Sequence, residues 1–123
     1  MTTLYYLGSC DTCRRIMKQW QIGPDALLRE IKSDPVRPDE LDTMRALAGS
    51  YEALFSKRAL KFREMGLHTQ TLGEADYRRL ILEEYTFLRR PVLVLGDAIF
   101  IGNAPATVAA AAQALDAARA TEK

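Results

Sequence analysis

Apolar positions near the N-terminus show first a strand pattern and then a helix pattern. Residues 4–7 form an apolar, aromatic run that predicts a short buried strand, and a glycine and a serine break it. Helical spacing predicts a helix from residue 11 to about residue 21, which a Gly-Pro pair ends. Residues 26–31 predict a second strand. Because a helix joins these two strands, we expect them to pair in parallel.

The middle of the chain, from about residue 34 to residue 88, has helical spacing and no strand pattern. Pro38, followed by two acids, begins a helix that Gly49 ends. Thr71 and Glu74 predict a capping box before a further helix. Shorter helical segments are predicted at residues 51–55 and 60–65.

The last third of the chain predicts a hairpin and a helix. Two apolar runs, Val92–Leu95 and Ala98–Ile101, are joined only by Gly96-Asp97, which is the pattern of a β-hairpin. Asn103 is predicted to cap the last helix, with Pro105 in its first turn.

This order of elements, β-α-β, helical block, β-β-α, predicts an α/β fold: a thioredoxin-like sheet with a helical insertion between the N-terminal β-α-β and the C-terminal β-β-α. We expect residues 1–123 to form a single thioredoxin-like domain. Its core would be residues 1–33 and 88–119, and the helical insertion would be residues 34–87.

Composition narrows the function classes. The net charge of +1 gives no electrostatic basis for direct DNA binding or for attachment to a membrane surface. No apolar stretch approaches the length of a membrane span, and the N-terminus lacks the pattern of a secretory signal. We therefore expect a cytoplasmic protein. In a reducing compartment, a pair of close cysteines indicates catalysis or redox sensing more than a structural bridge.

The two cysteines, Cys10 and Cys13, lie at the turn between the first strand and the first helix. Unpaired N–H groups and the helix dipole stabilise an anion at a helix N-terminus, so we expect the pKa of the Cys10 thiol to be lowered. Arg14 and Arg15 add positive charge in the same turn. Ser9 either directs its hydroxyl or N–H toward the thiolate or serves only the turn.

Cys13 shares the apolar face of the predicted helix with Ile16 and Trp20. We expect Cys13 to be partly buried and Cys10 to be exposed. Thiol–disulfide exchange uses such an arrangement, in which the outer cysteine attacks and the inner one resolves the mixed disulfide. An inert pair, a structural disulfide and half of a zinc site are the alternatives. A metal site is the least favoured, because the chain has no second cysteine pair.

Four segments, taken together, point to a known family. They are Tyr-x-x-x-x-Cys-Asp-Thr-Cys at residues 5–13, Glu-Ala-Leu-Phe-Ser-Lys-Arg at 52–58, Arg-Glu-Met-Gly-Leu at 63–67, and Leu-Arg-Arg-Pro at 88–91 before the apolar hairpin. In these segments the chain resembles the glutaredoxin-type arsenate reductase and Spx regulator family of bacterial proteins. The resemblance covers nearly the whole chain.

The resemblance implies a role for each matching residue. Cys10 matches the nucleophilic cysteine, and Cys13 matches the second cysteine of the redox-switch branch. Arg90 matches the arginine that helps to hold the oxyanion in the reductases, and Pro91 matches the cis-proline beside the reactive sulfur. The candidates for binding an anion or glutathione are Ser9, Arg14, Lys57, Arg58 and Pro91.

The chain also departs from the family pattern. The reductases carry an arginine where Ser56 stands, and another late in the hairpin region, near Gly102. Only Arg90 remains of a three-arginine oxyanion cradle, so efficient arsenate reduction is not expected. The switch branch carries a glycine near residues 57–59, where this chain has Lys-Arg-Ala.

The resemblance implies two functions from different classes. The first is a monomeric thiol oxidoreductase that acts on a disulfide, a glutathione adduct or a small oxyanion. No bound cofactor is implied, and electrons would come from glutathione, glutaredoxin or thioredoxin. The second is a redox-switched regulator that binds RNA polymerase. A non-catalytic relative that binds glutathione weakly is a third alternative.

Overall fold

The computed structural model describes residues 2–121, and its first three elements form the predicted β-α-β unit. Strand β1 is Thr2–Tyr6, helix α1 is Asp11–Gln19 and strand β2 is Leu27–Glu30. The two strands pair in parallel, which confirms the predicted pairing. The predicted first strand is wrong at its end, because Leu7 already belongs to the turn, where its carbonyl accepts a hydrogen bond from the Cys10 N–H at 3.1 Å.

The C-terminal part completes the sheet. Strands β3 (Val92–Leu95) and β4 (Ala98–Ile101) form the predicted antiparallel hairpin, and β3 also pairs antiparallel with β1. The strand order is β2-β1-β3-β4. The final helix, α5 in chain order, spans Pro105–Thr121. Its first helical hydrogen bond ends on the Ala104 carbonyl, so the predicted cap at Asn103 is wrong by one residue.

One apolar core lies between this sheet and its helices. Trp20 is 2% exposed, and its indole Nε1–H donates to the Val108 carbonyl at 3.1 Å, which joins the end of α1 to α5. The buried core residues are Leu4, Ile16, Trp20, Leu93, Val108, Ala111 and Leu115. Burying a large apolar side chain of this kind contributes about 1.5–3 kcal/mol.

Contacts divide the chain into two compact units, one formed by the described residues up to Asp34 and from Arg90 onward, the other by Pro35–Arg89. The second unit contains helices α2 (Pro38–Ala48), α3 (Leu60–Glu64) and α4 (Glu74–Glu83). Short 3₁₀ turns lie at Glu52–Leu54, Leu67–Thr69 and Tyr85–Phe87. Within Pro35–Arg89, β pairing is limited to a single bridge between Phe55 and Leu88.

Aromatic contacts form the core of the second unit. Phe55 stacks on Phe87 with ring centroids 5.0 Å apart, and it contacts Tyr77 at 4.8 Å and Phe62 at 5.9 Å. Phe87 is 0% exposed. Such ring pairs stabilise a fold beyond the area that they bury.

The caps of α2 and α4 differ in how well the sequence predicts them. Gly49 ends α2 with a φ of 95°, as predicted for a glycine in this position. The capping box predicted at Thr71 and Glu74 is wrong, because the Gly73 N–H donates to Asp76 Oδ2 at 2.9 Å instead. The Glu74 carboxylate is engaged elsewhere in this unit, where it accepts hydrogen bonds from the N–H groups of Tyr51 at 2.7 Å and of Glu52 at 3.1 Å.

Among the helices of residues 2–121, none has the length and apolar character needed to cross a membrane.

Candidate thiol site

Cys10 occupies the N-cap position of α1. Its backbone is extended, with φ −89° and ψ 113°, and its carbonyl accepts the Arg14 N–H at 3.1 Å. The β1 strand ends two residues before Gly8. The turn that follows places Cys10 at the N-terminus of α1, where backbone N–H groups are unpaired. The first helical residue is therefore Asp11, as the sequence predicts.

The two thiols are free and lie in different environments. Cys13 is 0% exposed on the apolar face of α1, so the expectation of partial burial understates its burial. Cys10 is intermediate in exposure, whereas the sequence pattern predicts it to be exposed. The helical spacing predicts the direction of this difference, but it carries no information on what covers Cys10.

The pKa values of the two thiols move in opposite directions. Partial burial acts to raise the pKa of Cys10, but hydrogen bonds donated by the Cys13 N–H, the Cys13 thiol and the Arg90 guanidinium outweigh it and lower that pKa. Burial raises the pKa of Cys13 to about 11. The Leu7 N–H opposes this rise, and the negative charge of Cys10 adds to it. As the pH rises, Cys10 is therefore the first of the two thiols to lose its proton.

Arg90 and Pro91 directly precede β3. The peptide bond between them is cis, as the resemblance implies. The Pro91 carbonyl accepts the Gly102 N–H at 2.9 Å, which ties this segment to the residue after β4. Gly102 has a φ of 85° and is buried, so the backbone of any residue with a side chain would be strained at this position.

Glu30 is a residue near this turn that the sequence pattern does not single out. Its carboxylate accepts a hydrogen bond from the Gly8 N–H at 2.7 Å. Hydrogen bonds from the N–H groups of Gly8 and Ser33 are the largest causes that lower the pKa of Glu30. The available signal is its place at the end of the second strand, because parallel strands bring their carboxyl ends to one edge of a sheet.

The other predicted residues in the first unit lie on its surface. Ser9 is exposed. Arg14 is also exposed, and its guanidinium forms an ion pair with Asp11 one helical turn away. The structure thus brings Cys10, Cys13 and Arg90 together through hydrogen bonds, while Arg14 pairs with an acid of its own helix.

Lys57, Arg58 and Ser56 belong to the unit Pro35–Arg89. Lys57 is exposed and pairs with Glu52, its Nζ 3.4 Å from Oε2, and Arg58 is exposed. The Ser56 N–H donates to the Phe87 carbonyl at 2.7 Å. No cluster of three or more His, Cys, Asp or Glu side chains suited to a metal ion occurs within residues 2–121.

A four-stranded mixed sheet, a CxxC pair at the N-terminus of the first helix and a cis-proline before β3 define a protein with a thioredoxin-like fold. The model of the ArsC family matches residues 5–111. The chain belongs to this family, which confirms the resemblance inferred from its four segments.

Similar proteins carry both kinds of name that the resemblance implies. The chain is 31% identical over 106 residues to global transcriptional regulator Spx 2 of Bacillus anthracis, covering 83% of this chain and 79% of that protein. It is 29% identical over 97 residues to global transcriptional regulator Spx of Bacillus subtilis, covering 76% and 73%. The solved arsenate reductase from Vibrio cholerae superposes with a TM-score of 0.72 over 89% of this chain and 95% of that one, at 16% identity, which shows a shared fold.

Proposed function

We propose that this protein is a thiol-dependent oxidoreductase in which Cys10 is the nucleophile and Cys13 the resolving thiol. The observation that carries the proposal is the geometry of the pair, with Cys10 at the N-cap of α1 and Cys13 0% exposed one turn further on. This geometry lowers the pKa of Cys10 and raises that of Cys13 to about 11. A lowered pKa increases the thiolate fraction of Cys10, and burial keeps the second thiol protonated at neutral pH.

In the proposed reaction the Cys10 thiolate attacks one sulfur of a substrate disulfide or glutathione adduct. A Cys10–sulfur bond forms, the substrate S–S bond breaks, and the departing thiolate takes a proton from water. Cys13 then loses its proton and attacks the Cys10 sulfur, which releases the second substrate thiol and leaves a Cys10–Cys13 disulfide. Two electrons have passed to the substrate. Glutathione, glutaredoxin or thioredoxin would return the pair to dithiol, and glutathione is an alternative resolving thiol.

The coupling between the two thiols gives this order of steps a physical basis. The charge on Cys10 is one of the causes that raise the pKa of Cys13. Once Cys10 is bonded to substrate, that charge is gone, so the pKa of Cys13 falls. The second thiol is thereby activated when the mixed disulfide forms.

The proposed substrate preference rests on the number of arginines that the chain offers to an anion. Arg90 supports the Cys10 thiolate and would also contact a bound anion. Ser9, Arg14, Lys57, Arg58 and Pro91 remain the proposed contacts for an anion or glutathione. With Ser56 and Gly102 where the reductases carry arginines, we favour disulfides and glutathione adducts over arsenate.

The test is the pH dependence of alkylation of each cysteine in the reduced protein, with mass spectrometry to distinguish them. We expect Cys10 to react with an apparent pKa at least about one unit below the free-thiol value of about 8.5, and Cys13 to stay protected. Two ordinary thiol titrations would rule out this mechanism. Arsenate, glutathione adducts and protein disulfides would then be compared as substrates.

A second function is favoured by the relatives that are named global transcriptional regulators. In this alternative the same CxxC pair is a redox sensor, and the oxidised or reduced protein binds RNA polymerase without direct DNA binding. Pull-down of RNA polymerase with the dithiol and disulfide forms tests it. Equal or absent binding in both forms would exclude the switch. Either function is consistent with our proposal of a cytoplasmic monomer.

A further inference from the structure

Glu30 lies where the two parallel strands end side by side. Tyr6, the last residue of β1, is in register with Glu30, the last residue of β2, and the Ile31 N–H donates to the Tyr6 carbonyl at 2.9 Å. The turn that leads to Cys10 therefore begins next to the Glu30 side chain.

The Glu30 carboxylate joins two turns through four hydrogen bonds. Its Oε2 accepts the Gly8 N–H at 2.7 Å. Its Oε1 accepts the N–H groups of Lys32 at 3.0 Å and Ser33 at 2.8 Å, together with the Ser33 hydroxyl at 2.9 Å. One oxygen is thus held by the turn after β2, and the other holds the turn after β1.

Gly8 leaves room for this contact. A Cβ atom added to Gly8 would lie 3.3 Å from Glu30 Oε2, which is closer than most Cβ contacts. A side chain at position 8 would require this carboxylate oxygen to shift by a few tenths of an ångström. A glycine at this position therefore fits the close approach of the carboxylate.

The held turn determines where Cys10 lies. Gly8 lies inside a turn that is closed by the hydrogen bond from the Cys10 N–H to the Leu7 carbonyl at 3.1 Å. Leu7 also helps to set the state of the second thiol, because its N–H acts on the pKa of Cys13. The Glu30 contact thus holds a turn that contains the residues next to both cysteines.

From this geometry we propose that Glu30 is a positioning residue for the Cys10 thiolate, acting through the Gly8 N–H. The proposal rests on the proposed function, because it assigns Glu30 to the reactivity of the same thiol. A charge effect alone would act in the opposite direction: removing a carboxylate near a thiolate favours the thiolate. The sign of the change in Glu30 variants thus separates positioning from electrostatics.

The experiment compares the alkylation rate of Cys10 against pH in wild type, Glu30→Ala and Glu30→Gln. For Glu30→Ala we expect the rate at neutral pH to fall about tenfold, since loss of a fixed geometry at a reacting group has effects of this size or more. Glu30→Gln keeps one side-chain oxygen for these donors and loses the charge, so its rate should lie between the other two. Rates equal to or above wild type in both variants would overturn the proposal.

A matched control removes a carboxylate of the same kind elsewhere. Glu40 accepts the Arg37 N–H at 2.9 Å in the second unit and pairs with the Arg37 guanidinium at 3.2 Å, so Glu40→Ala loses the same charge, a similar hydrogen bond and an ion pair. Its Cys10 profile should match wild type. A fall equal to that of Glu30→Ala would mean that the effect is general destabilisation, and the proposal would be wrong.

Amide hydrogen exchange at Gly8 gives a readout that does not depend on cysteine chemistry. We expect the Gly8 N–H to exchange slowly in wild type and markedly faster in Glu30→Ala. If Cys10 of wild type titrates as an ordinary thiol while Gly8 is protected by Glu30, the proposed function fails and the contact stands. If the pKa of Cys10 is lowered in wild type and its alkylation rate does not change in the Glu30 variants, only the positioning role fails. Should Glu30→Ala not fold, Glu30→Gln decides: a rate within twofold of wild type overturns the role.

Discussion

In each unit of this protein a glutamate side chain holds a turn that lies more than twenty residues earlier in the sequence. Glu30 accepts the Gly8 N–H, 22 residues away, and Glu74 accepts the N–H groups of Tyr51 and Glu52, 23 and 22 residues away. The device is the same in both units. The units differ in the element after the turn, which is a helix with a cysteine at its N-cap in the first and a 3₁₀ turn leading into the aromatic core in the second.

The same kind of contact thus serves a reactive site in one unit and an apolar core in the other, depending on the residues that follow the turn. After Gly8 come a half-buried thiol and a buried one, with Arg90 hydrogen-bonded to the first. After Tyr51 comes Phe55, whose neighbours are other rings. We therefore expect changes in the first unit to alter reactivity and changes in the second to alter stability.

The largest expected effect is the loss of the nucleophile. Cys10→Ser should abolish reductase activity, because a serine hydroxyl is not ionised at neutral pH and cannot form a disulfide. Cys13→Ser should instead accumulate mixed disulfides at Cys10, or keep an activity that depends on glutathione. Activity assays and mass spectrometry of trapped adducts check both. Full turnover in Cys10→Ser would disprove the assignment of the nucleophile.

Removing the central ring of the second unit should be the largest stability effect. Phe55→Ala removes contacts with three rings and should lower the free energy of unfolding by about 3–5 kcal/mol. Denaturant unfolding measures this loss. Leu60→Ala is the matched control, since Leu60 is 81% exposed and its loss should change little. If folded Phe55→Ala also had an altered Cys10 pKa, the proposed division between reactivity and stability would be wrong.

A smaller effect is expected from the cation at the site. The Arg90 guanidinium favours the Cys10 thiolate, so Arg90→Ala should raise the pKa of Cys10. A rise of one pKa unit lowers the thiolate fraction about tenfold at a pH well below the pKa. The alkylation profile measures the rise. Arg89→Ala, which removes the preceding exposed arginine, should leave the profile unchanged, and an unchanged profile in Arg90→Ala would remove Arg90 from the site.

The smallest expected effect is a pH dependence of stability in the second unit. The Arg78 guanidinium, with the Tyr51 hydroxyl, lowers the pKa of the exposed Asp42 from 3.8 to about 2. A lowered pKa stabilises the fold above the ordinary value, and this contribution is lost as the pH falls from 3.8 through about 2. Asp42→Asn should thus be slightly less stable than wild type at neutral pH, and the difference should shrink in acid. Thermal unfolding across pH checks this, and a difference that is constant with pH would contradict it.

Local sequence signals predict much of this fold because several elements are set by near neighbours. The hairpin matches residue for residue, since two apolar runs joined by Gly96-Asp97 admit only a short turn. Gly49 ends α2 as predicted, because a left-handed backbone at that position favours glycine. The apolar face of α1 likewise predicts that Cys13 turns toward the core.

Contacts between distant residues explain what the sequence does not predict. Glu30 meets Gly8 only because the two strands pair in parallel at this register. Glu74 is not the capping residue that its spacing suggests, since the N–H groups of Tyr51 and Glu52 engage its carboxylate. The reduced exposure of Cys10 has the same origin, because a linear pattern does not report what packs beside a turn.

The hydrogen bond between Trp20 and Val108 also has a practical consequence. Trp20 is the single tryptophan of the chain, it is 2% exposed, and it caps the helix that carries Cys13. Its indole fluorescence is therefore a built-in optical reporter of the first unit, with no tryptophan signal from the second. Stopped-flow emission during oxidation and reduction would report any change in this unit that accompanies the thiol reaction, without an added label.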